Sequence, residues 1–264
     1  FKYFYNRVAA FLGDDEAGKR FVAITDPSSP LAETATTLGF RELFINDPTI
    51  GGRYSALSYF GLVPAALVGV DLDELLARAS AMAVNAETCR YPLIHDNLAA
   101  QMGSIMGTLA LHGRDKLTFF PSSSLTSFPD WLEQLVAEST GKEGIGLVPV
   151  VGEALARPAE FVDDRVFVEL TLAGEEDSSR TAALDALEAA GHPVLRFVLG
   201  DSYELGRELF RWQVGVAVAA AVLGVNPFDQ PDVQLAKELA RSAMAGNQLA
   251  AEGGTDAVDR AAVK

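Results

Sequence analysis

Arg20-Phe-Val-Ala-Ile-Thr25 and Phe40-Arg-Glu-Leu-Phe-Ile45 are two short apolar runs, and what joins them decides the fold. The first run sits between Gly18 and Pro27, the pattern of a strand buried on both faces. Asp26-Pro-Ser-Ser-Pro-Leu31 reads as a turn and helix start, and Leu31 to Leu38 continues as a helix that stops at Gly39. Strand, helix, strand over so short a span is a βαβ unit, which makes the sheet parallel.

The same alternation extends along the chain. Lys116–Phe120, Gly146–Val151, Arg165–Leu172 and Gly191–Leu199 read as further strands. Helices are expected over Ser55–Val70, Asp71–Cys89, Ile94–Leu111, Arg180–Ala190 and Tyr203–Leu223, with another fed by the loop after Val225. Phe1-Lys-Tyr-Phe-Tyr-Asn-Arg-Val-Ala-Ala-Phe-Leu12 is an amphipathic helix already under way, and it does not begin with Met. The expectation is therefore a piece of a longer protein. The expected fold is α/β, a three-layer parallel sheet with helices on both faces plus C-terminal helices. It occupies 1–244, and the Ala-, Gly- and Asp-rich end at 245–264 is read as a frayed tail.

Composition narrows the function. A net charge of −15 argues against nucleic acid or an anionic membrane as a general partner. It leaves room for a small anionic ligand held by a few local cations or backbone N–H groups. A single cysteine, Cys89, excludes an internal disulfide and fits a reducing, cytoplasmic setting. His95, His112, His192 and Cys89 lack zinc-ligand spacing. Val214–Val225 is apolar but far short of the ~20 residues a membrane helix needs.

Leu132-Glu-Gln-Leu-Val-Ala-Glu-Ser-Thr-Gly-Lys142 offers the chemistry. Gly141 reads as a helix stop in the left-handed conformation, which puts Glu138 in the last turn, where the macrodipole disfavours an ionised carboxylate. A carboxylate so poorly placed for stability is a candidate for chemistry, although a single surface Glu is more often simply solvated. In a parallel sheet ligands bind beyond the carboxyl ends of the strands. Gly51-Gly52-Arg53 lies in such a loop, with glycines for close approach and a permanent charge for an oxyanion. An ordinary tight turn with a solvated Arg is the competing reading. Pro121-Ser-Ser-Ser-Leu-Thr-Ser127 could cradle a phosphate, but a serine-rich helix cap is favoured. Gln230 and Lys237 flank the start of the last helix, two turns apart if both are helical, and both could look into one cleft, although polar residues there are more often a cap and a solvated lysine. His192, before Pro193, suits a structural turn as well as a general base.

Three segments taken together are more specific than any one. Ile50-Gly-Gly-Arg-Tyr-Ser-Ala-Leu-Ser58, Ala137-Glu-Ser-Thr-Gly-Lys142 and Gly224-Val-Asn-Pro-Phe-Asp-Gln-Pro-Asp-Val-Gln-Leu-Ala-Lys237 resemble the successive signatures of the glucose-6-phosphate isomerase family. The resemblance runs to about Met244 and is greatest to the isomerase part of bacterial transaldolase/glucose-6-phosphate isomerase fusions. It implies a sugar-isomerase (SIS), flavodoxin-like fold, with this chain as the second of two subdomains. It also implies interconversion of glucose 6-phosphate and fructose 6-phosphate through a cis-enediol, with no metal or nucleotide cofactor. By the same resemblance Glu138 is the base, Arg53 stabilises the enediolate, and Gly52 lets the backbone approach the sugar. Gln134 and Gln230 bind the substrate phosphate, and Lys237 assists ring opening. A homodimer is implied, with the first SIS subdomain, and in the fusions a transaldolase domain, upstream.

Two departures stand out. The family's catalytic His, in a Gly-Gln-His loop, has no match in Thr171-Leu-Ala-Gly-Glu-Glu-Asp-Ser-Ser-Arg180 or at His95, His112 or His192. The Ser/Thr-rich phosphate loop of the first subdomain would lie upstream of Phe1, so the segment alone is expected to be incomplete as an enzyme. Two alternatives remain at this point: a non-catalytic SIS domain that senses a sugar phosphate, and an isomerase that also takes mannose 6-phosphate.

Overall fold

The computed structural model describes residues 1–87, 97–229 and 231–244. Cys89, His95, Gln230 and the 245–264 tail lie outside the described residues. The chain divides into two compact units, Phe1–Phe228 and Asp229–Lys264.

The first unit opens with α1 (Lys2–Leu12) and the short α2 (Asp14–Ala17), then β1 (Val22–Thr25), α3 (Pro30–Thr37) and β2 (Glu42–Ile45). Helix α3 starts where the sequence supplies its signals. Pro30 occupies the first turn, where no N–H is missed, and the Ser29 hydroxyl accepts from Ala32 N at 3.1 Å. Strands β1 and β2 pair in parallel, Val22 opposite Glu42 and Thr25 opposite Ile45, so the βαβ reading holds.

The chain then runs through a 3-10 turn (Gly52–Leu57) and three helices, α4 (Tyr59–Leu67), α5 (Leu72–Glu87) and α6 (Leu98–Leu111). The expected helix from Ser55 is thus broken, because Ser58 caps α4 through its side chain. Next come β3 (Lys116–Pro121), α7 (Phe128–Thr140), β4 (Val148–Val150) and β5 (Arg165–Leu172). The unit closes with α8 (Ser178–Ala189), β6 (Val194–Leu199) and α9 (Glu204–Leu223).

The strands form two sheets rather than one. Strands β1 and β2 make a pair, and the other four are ordered β4-β3-β5-β6, all parallel. The physical reason is the intervening helical stretch, which carries the chain away from β2 before β3 begins. Strand β4 contains Pro149, which cannot donate to a ladder, and it takes an edge position as that requires.

The four-stranded sheet is covered on both faces, as the three-layer expectation requires. Val166, Val168 and Leu170 of β5 join Leu117 and Phe119 in a core with residues of α6, α7 and α9, including Met106, Leu132, Leu135 and Trp212. Phe167 points the other way, with Phe120, into a smaller core with Leu184 and Leu187 of α8. Each fully buried large side chain of this kind contributes about 1.5–3 kcal/mol. Glu169, central in β5 and buried, is neutralised by Arg180 at 3.4 Å and Arg196 at 3.3 Å.

Helices α6 and α9 meet backbone to backbone. A Cβ on Gly103 would lie 2.2 Å from the Gly215 carbonyl oxygen, and one on Gly107 would lie 2.8 Å from Val222 Cβ. Helix α9 also carries a buried charge cluster. Glu204 meets Arg78 and Arg207, each at 2.7 Å, and Glu208, 3 % exposed, meets Arg211 at 3.3 Å. Burial pushes the Glu208 carboxyl up to about 7 despite the neighbouring Arg211 and Arg207, and burial likewise pulls Arg211 down.

The second unit contributes α10 (Pro231–Met244), which carries Lys237 as an exposed residue. Among the described residues no helix is long and apolar enough to cross a membrane.

Candidate active site

Helix α7 buries Phe128, Leu132, Leu135, Val136, Ser139 and Thr140, the three-and-four spacing of one helix face. Gln134 and Glu138, four apart, fall on the outer face one above the other. Gln134 Nε2 donates to Glu138 Oε1 at 3.1 Å. Glu138 Oε2 stands 3.6 Å from Arg53 Nη1. Its side chain is 35 % exposed whereas that of Arg53 is 1 % exposed, so the carboxylate faces solvent across a buried guanidinium. A cation placed there answers the unfavourable helix end that the sequence pointed out.

Arg53 reaches this position from the 3-10 turn. Its Nε donates to Ser139 Oγ at 2.8 Å and its Nη2 to the Pro227 carbonyl at 2.5 Å. Tyr54 OH donates to the same Ser139 Oγ at 3.1 Å, and burial raises the Tyr54 phenol above its usual range. The Tyr54 carbonyl accepts from Gln213 Nε2 at 3.2 Å, and the Tyr54 ring lies 5.3 Å from that of Phe228. Arg53, Tyr54, Phe210, Gln213 and Phe228 line a cavity of about 360 Å³ whose walls include neither Gln134 nor Glu138.

Gly52 shows neither of the usual structural reasons for glycine. It is absent from the residues with positive φ, and a Cβ built on it meets no atom within 4 Å. The space beside the backbone is open to a ligand.

Gly141 corrects one expectation. It is not left-handed but has φ −75° and ψ 84°. Glycine is needed there for contact, since a Cβ would lie 2.7 Å from the Ala137 carbonyl oxygen. The reversal after α7 uses positive φ at Glu143 and Gly144 instead. Thr140 ties it down, donating to Val136 O at 2.8 Å and accepting from Leu147 N at 2.9 Å. Lys142 Nζ bonds to the Asn226 carbonyl. Within Ser-Thr-Gly-Lys, then, the side chains of Ser139, Thr140 and Lys142 all serve the architecture around Glu138.

The serine-rich loop is occupied by the chain itself. Ser124 N donates to Glu175 Oε2 at 3.0 Å, and the Ser124 hydroxyl meets Oε1. These bonds, the backbone one foremost, hold the Glu175 carboxyl down at about 2. Ser122 Oγ accepts from Leu172 N at 3.0 Å, and Ser127, at the N-cap of α7, makes no capping bond, so the expected helix cap is not how these serines are used. His192 is buried and edge-on to Phe167 at 5.5 Å, a packing position. Among the described residues no group of three or more His, Cys, Asp or Glu is placed to hold a metal.

The structure therefore brings together Arg53, Gln134 and Glu138, with Gly52 beside Arg53 in the chain. Lys237 lies on α10, in the second unit. Sequence reasoning missed Ser139, Tyr54 and the Pro227 carbonyl as the supports of Arg53. One signal was available for Ser139: the helical period that places Leu132, Leu135 and Val136 inward places this polar residue inward too.

No family model matches the chain. Curated relatives named glucose-6-phosphate isomerase match over 90% of it, at 28% identity in Staphylococcus saprophyticus subsp. saprophyticus and 28% in Listeria monocytogenes. One from Heliobacterium modesticaldum is 29% identical over 83% of this chain. This chain is similar in sequence to proteins named glucose-6-phosphate isomerase. It spans about three fifths of their length, covering 61%, 60% and 57% of those three. Among solved structures, a glucose-6-phosphate isomerase from Chlamydia trachomatis superposes with a TM-score of 0.70 at 22% identity. That match covers 92% of this chain and 56% of the isomerase, and it bears out the fold. A hypothetical protein from Thermus thermophilus superposes with a TM-score of 0.78 at 26% identity, covering 93% of this chain and 67% of its own.

Proposed function

We propose that the protein containing this chain is an aldose–ketose isomerase that interconverts glucose 6-phosphate and fructose 6-phosphate, with Glu138 as the base. The observation that carries the reading is the juxtaposition of Glu138 with the buried Arg53 at 3.6 Å and with Gln134 at 3.1 Å. In the open-chain aldose, Glu138 takes the C2 proton, and the C–H electron pair becomes the C1–C2 double bond of a cis-enediolate. Negative charge then develops on O1, where a fixed guanidinium stabilises it without reorganising. Returning the proton from Glu138 to C1, as the O2–H electron pair forms the C2=O2 carbonyl and that proton moves to O1, yields the ketose.

The open backbone at Gly52 suits close approach of the sugar. Gln134 both orients Glu138 and stands ready for the substrate phosphate, a role assigned also to Gln230. Lys237 takes the part in ring opening left vacant by the missing histidine. The reading also includes a homodimer and a cytoplasmic location, and a first SIS subdomain upstream, which the curated relatives' greater length supports.

Glu138→Gln in the full-length protein tests the assignment. Loss of a general base lowers kcat by about 10²–10⁴-fold. Fructose 6-phosphate formation at the unsubstituted rate would remove Glu138 from the mechanism.

A further inference from the structure

The three nitrogens of the Arg53 guanidinium have different neighbours. Nε is bonded to Ser139 Oγ at 2.8 Å, Nη2 to the Pro227 carbonyl at 2.5 Å, and Nη1 faces Glu138 Oε2 at 3.6 Å. A planar guanidinium held at two of its nitrogens has no rotational freedom left, so the third edge is aimed by the other two. Ser139 is fully buried and follows Glu138 directly along α7. One helical segment therefore carries both the carboxylate and the group that turns the arginine toward it.

Tyr54 reinforces the arrangement. Its hydroxyl reaches the same Ser139 oxygen at 3.1 Å, and its ring lies beneath the Arg53 guanidinium at 5.6 Å. The serine oxygen is thus an acceptor for two donors from consecutive residues of the 3-10 turn, which fixes that turn against α7. The carbonyl at Pro227 fixes the opposite side.

We infer that Ser139 is a positioning residue for the isomerase reaction: it sets which edge of Arg53 meets the developing enediolate. The inference rests on the functional reading above. Ser139 is fully buried behind Arg53 and acts by holding Arg53 in the orientation that the transition state needs. Such a role shows in turnover more than in substrate capture, because the arginine's charge stays in place while its aim is lost.

The test is steady-state isomerisation by the full-length protein carrying Ser139→Ala, at a temperature well below its melting point and normalised to folded protein. The expected result is a kcat lower by about ten- to a hundredfold with KM within about twofold. If the alanine variant does not fold, Ser139→Cys, close in size and a weak acceptor, carries the same expectation. A folded variant with unchanged kcat overturns the inference and leaves the isomerase reading standing. A loss confined to KM or to melting temperature overturns it as well, since a merely structural serine would give that pattern. Absence of turnover in the unsubstituted protein overturns the functional reading and this inference with it.

Discussion

Replacing Glu208 by glutamine isolates the energetic effect of the buried charge on α9. The side chain is 3 % exposed, and burial lifts its carboxyl from the ordinary 4.5 to about 7. Below about pH 4 the carboxyl is neutral in folded and unfolded chains alike, so it contributes no pH dependence. Between those values the unfolded chain has released the proton and the folded chain still holds it. Stability therefore falls as pH rises through this window, and above about pH 8 the loss is complete. The full difference corresponds to about 3 kcal/mol. Glutamine mimics the protonated acid at every pH, so Glu208→Gln should match the parent near pH 4 and exceed it by up to about 3 kcal/mol near pH 8. For a chain of this size that is a rise of about 6–12 °C in melting temperature. Urea unfolding at both pH values, with the slopes compared, measures it. A gap that does not change with pH, or a variant less stable at high pH, would show that Arg211 and Arg207 compensate the buried carboxylate and that the reasoning is wrong.

Two further predictions concern architecture. Gly103→Ala places a methyl 2.2 Å from a backbone oxygen of α9, and parting the two helices should cost about 3 kcal/mol by denaturant unfolding; a loss below about 0.5 kcal/mol would mean that the contact is slack. Thr140→Val keeps the side-chain shape but removes the acceptor for Leu147 N, which should cost about 1–3 kcal/mol in the same measurement; unchanged stability would show that another group satisfies that N–H.

How far the sequence could be read differed by feature. Strands β3, β5 and β6 were legible because each is a nearly continuous apolar run bounded by turn residues. The βαβ order of β1, α3 and β2 was legible from Ser29, Pro30 and Gly39. Which strands share a sheet was not, because pairing is decided by where α4, α5 and α6 send the chain, and no local signal records that. At Gly141 the sequence suggests conformational freedom, whereas the structure uses the lack of a side chain. Arg53 and Glu138 lie far apart in sequence, and only the resemblance of whole segments linked them. The bonds that make them a unit pass through Ser139, a polar residue that the helical phase of α7 turns inward.

The glycine contact between α6 and α9 acts as a ruler. With no side chain to ride over, neither helix can slide along the other without a clash at Gly103 or Gly107. A slip of one turn would carry the far end of α9 by about 5.4 Å, and with it Pro227, whose carbonyl grips Arg53. The guanidinium edge that faces Glu138 is therefore calibrated some distance away, at a close contact between two glycine-bearing helices.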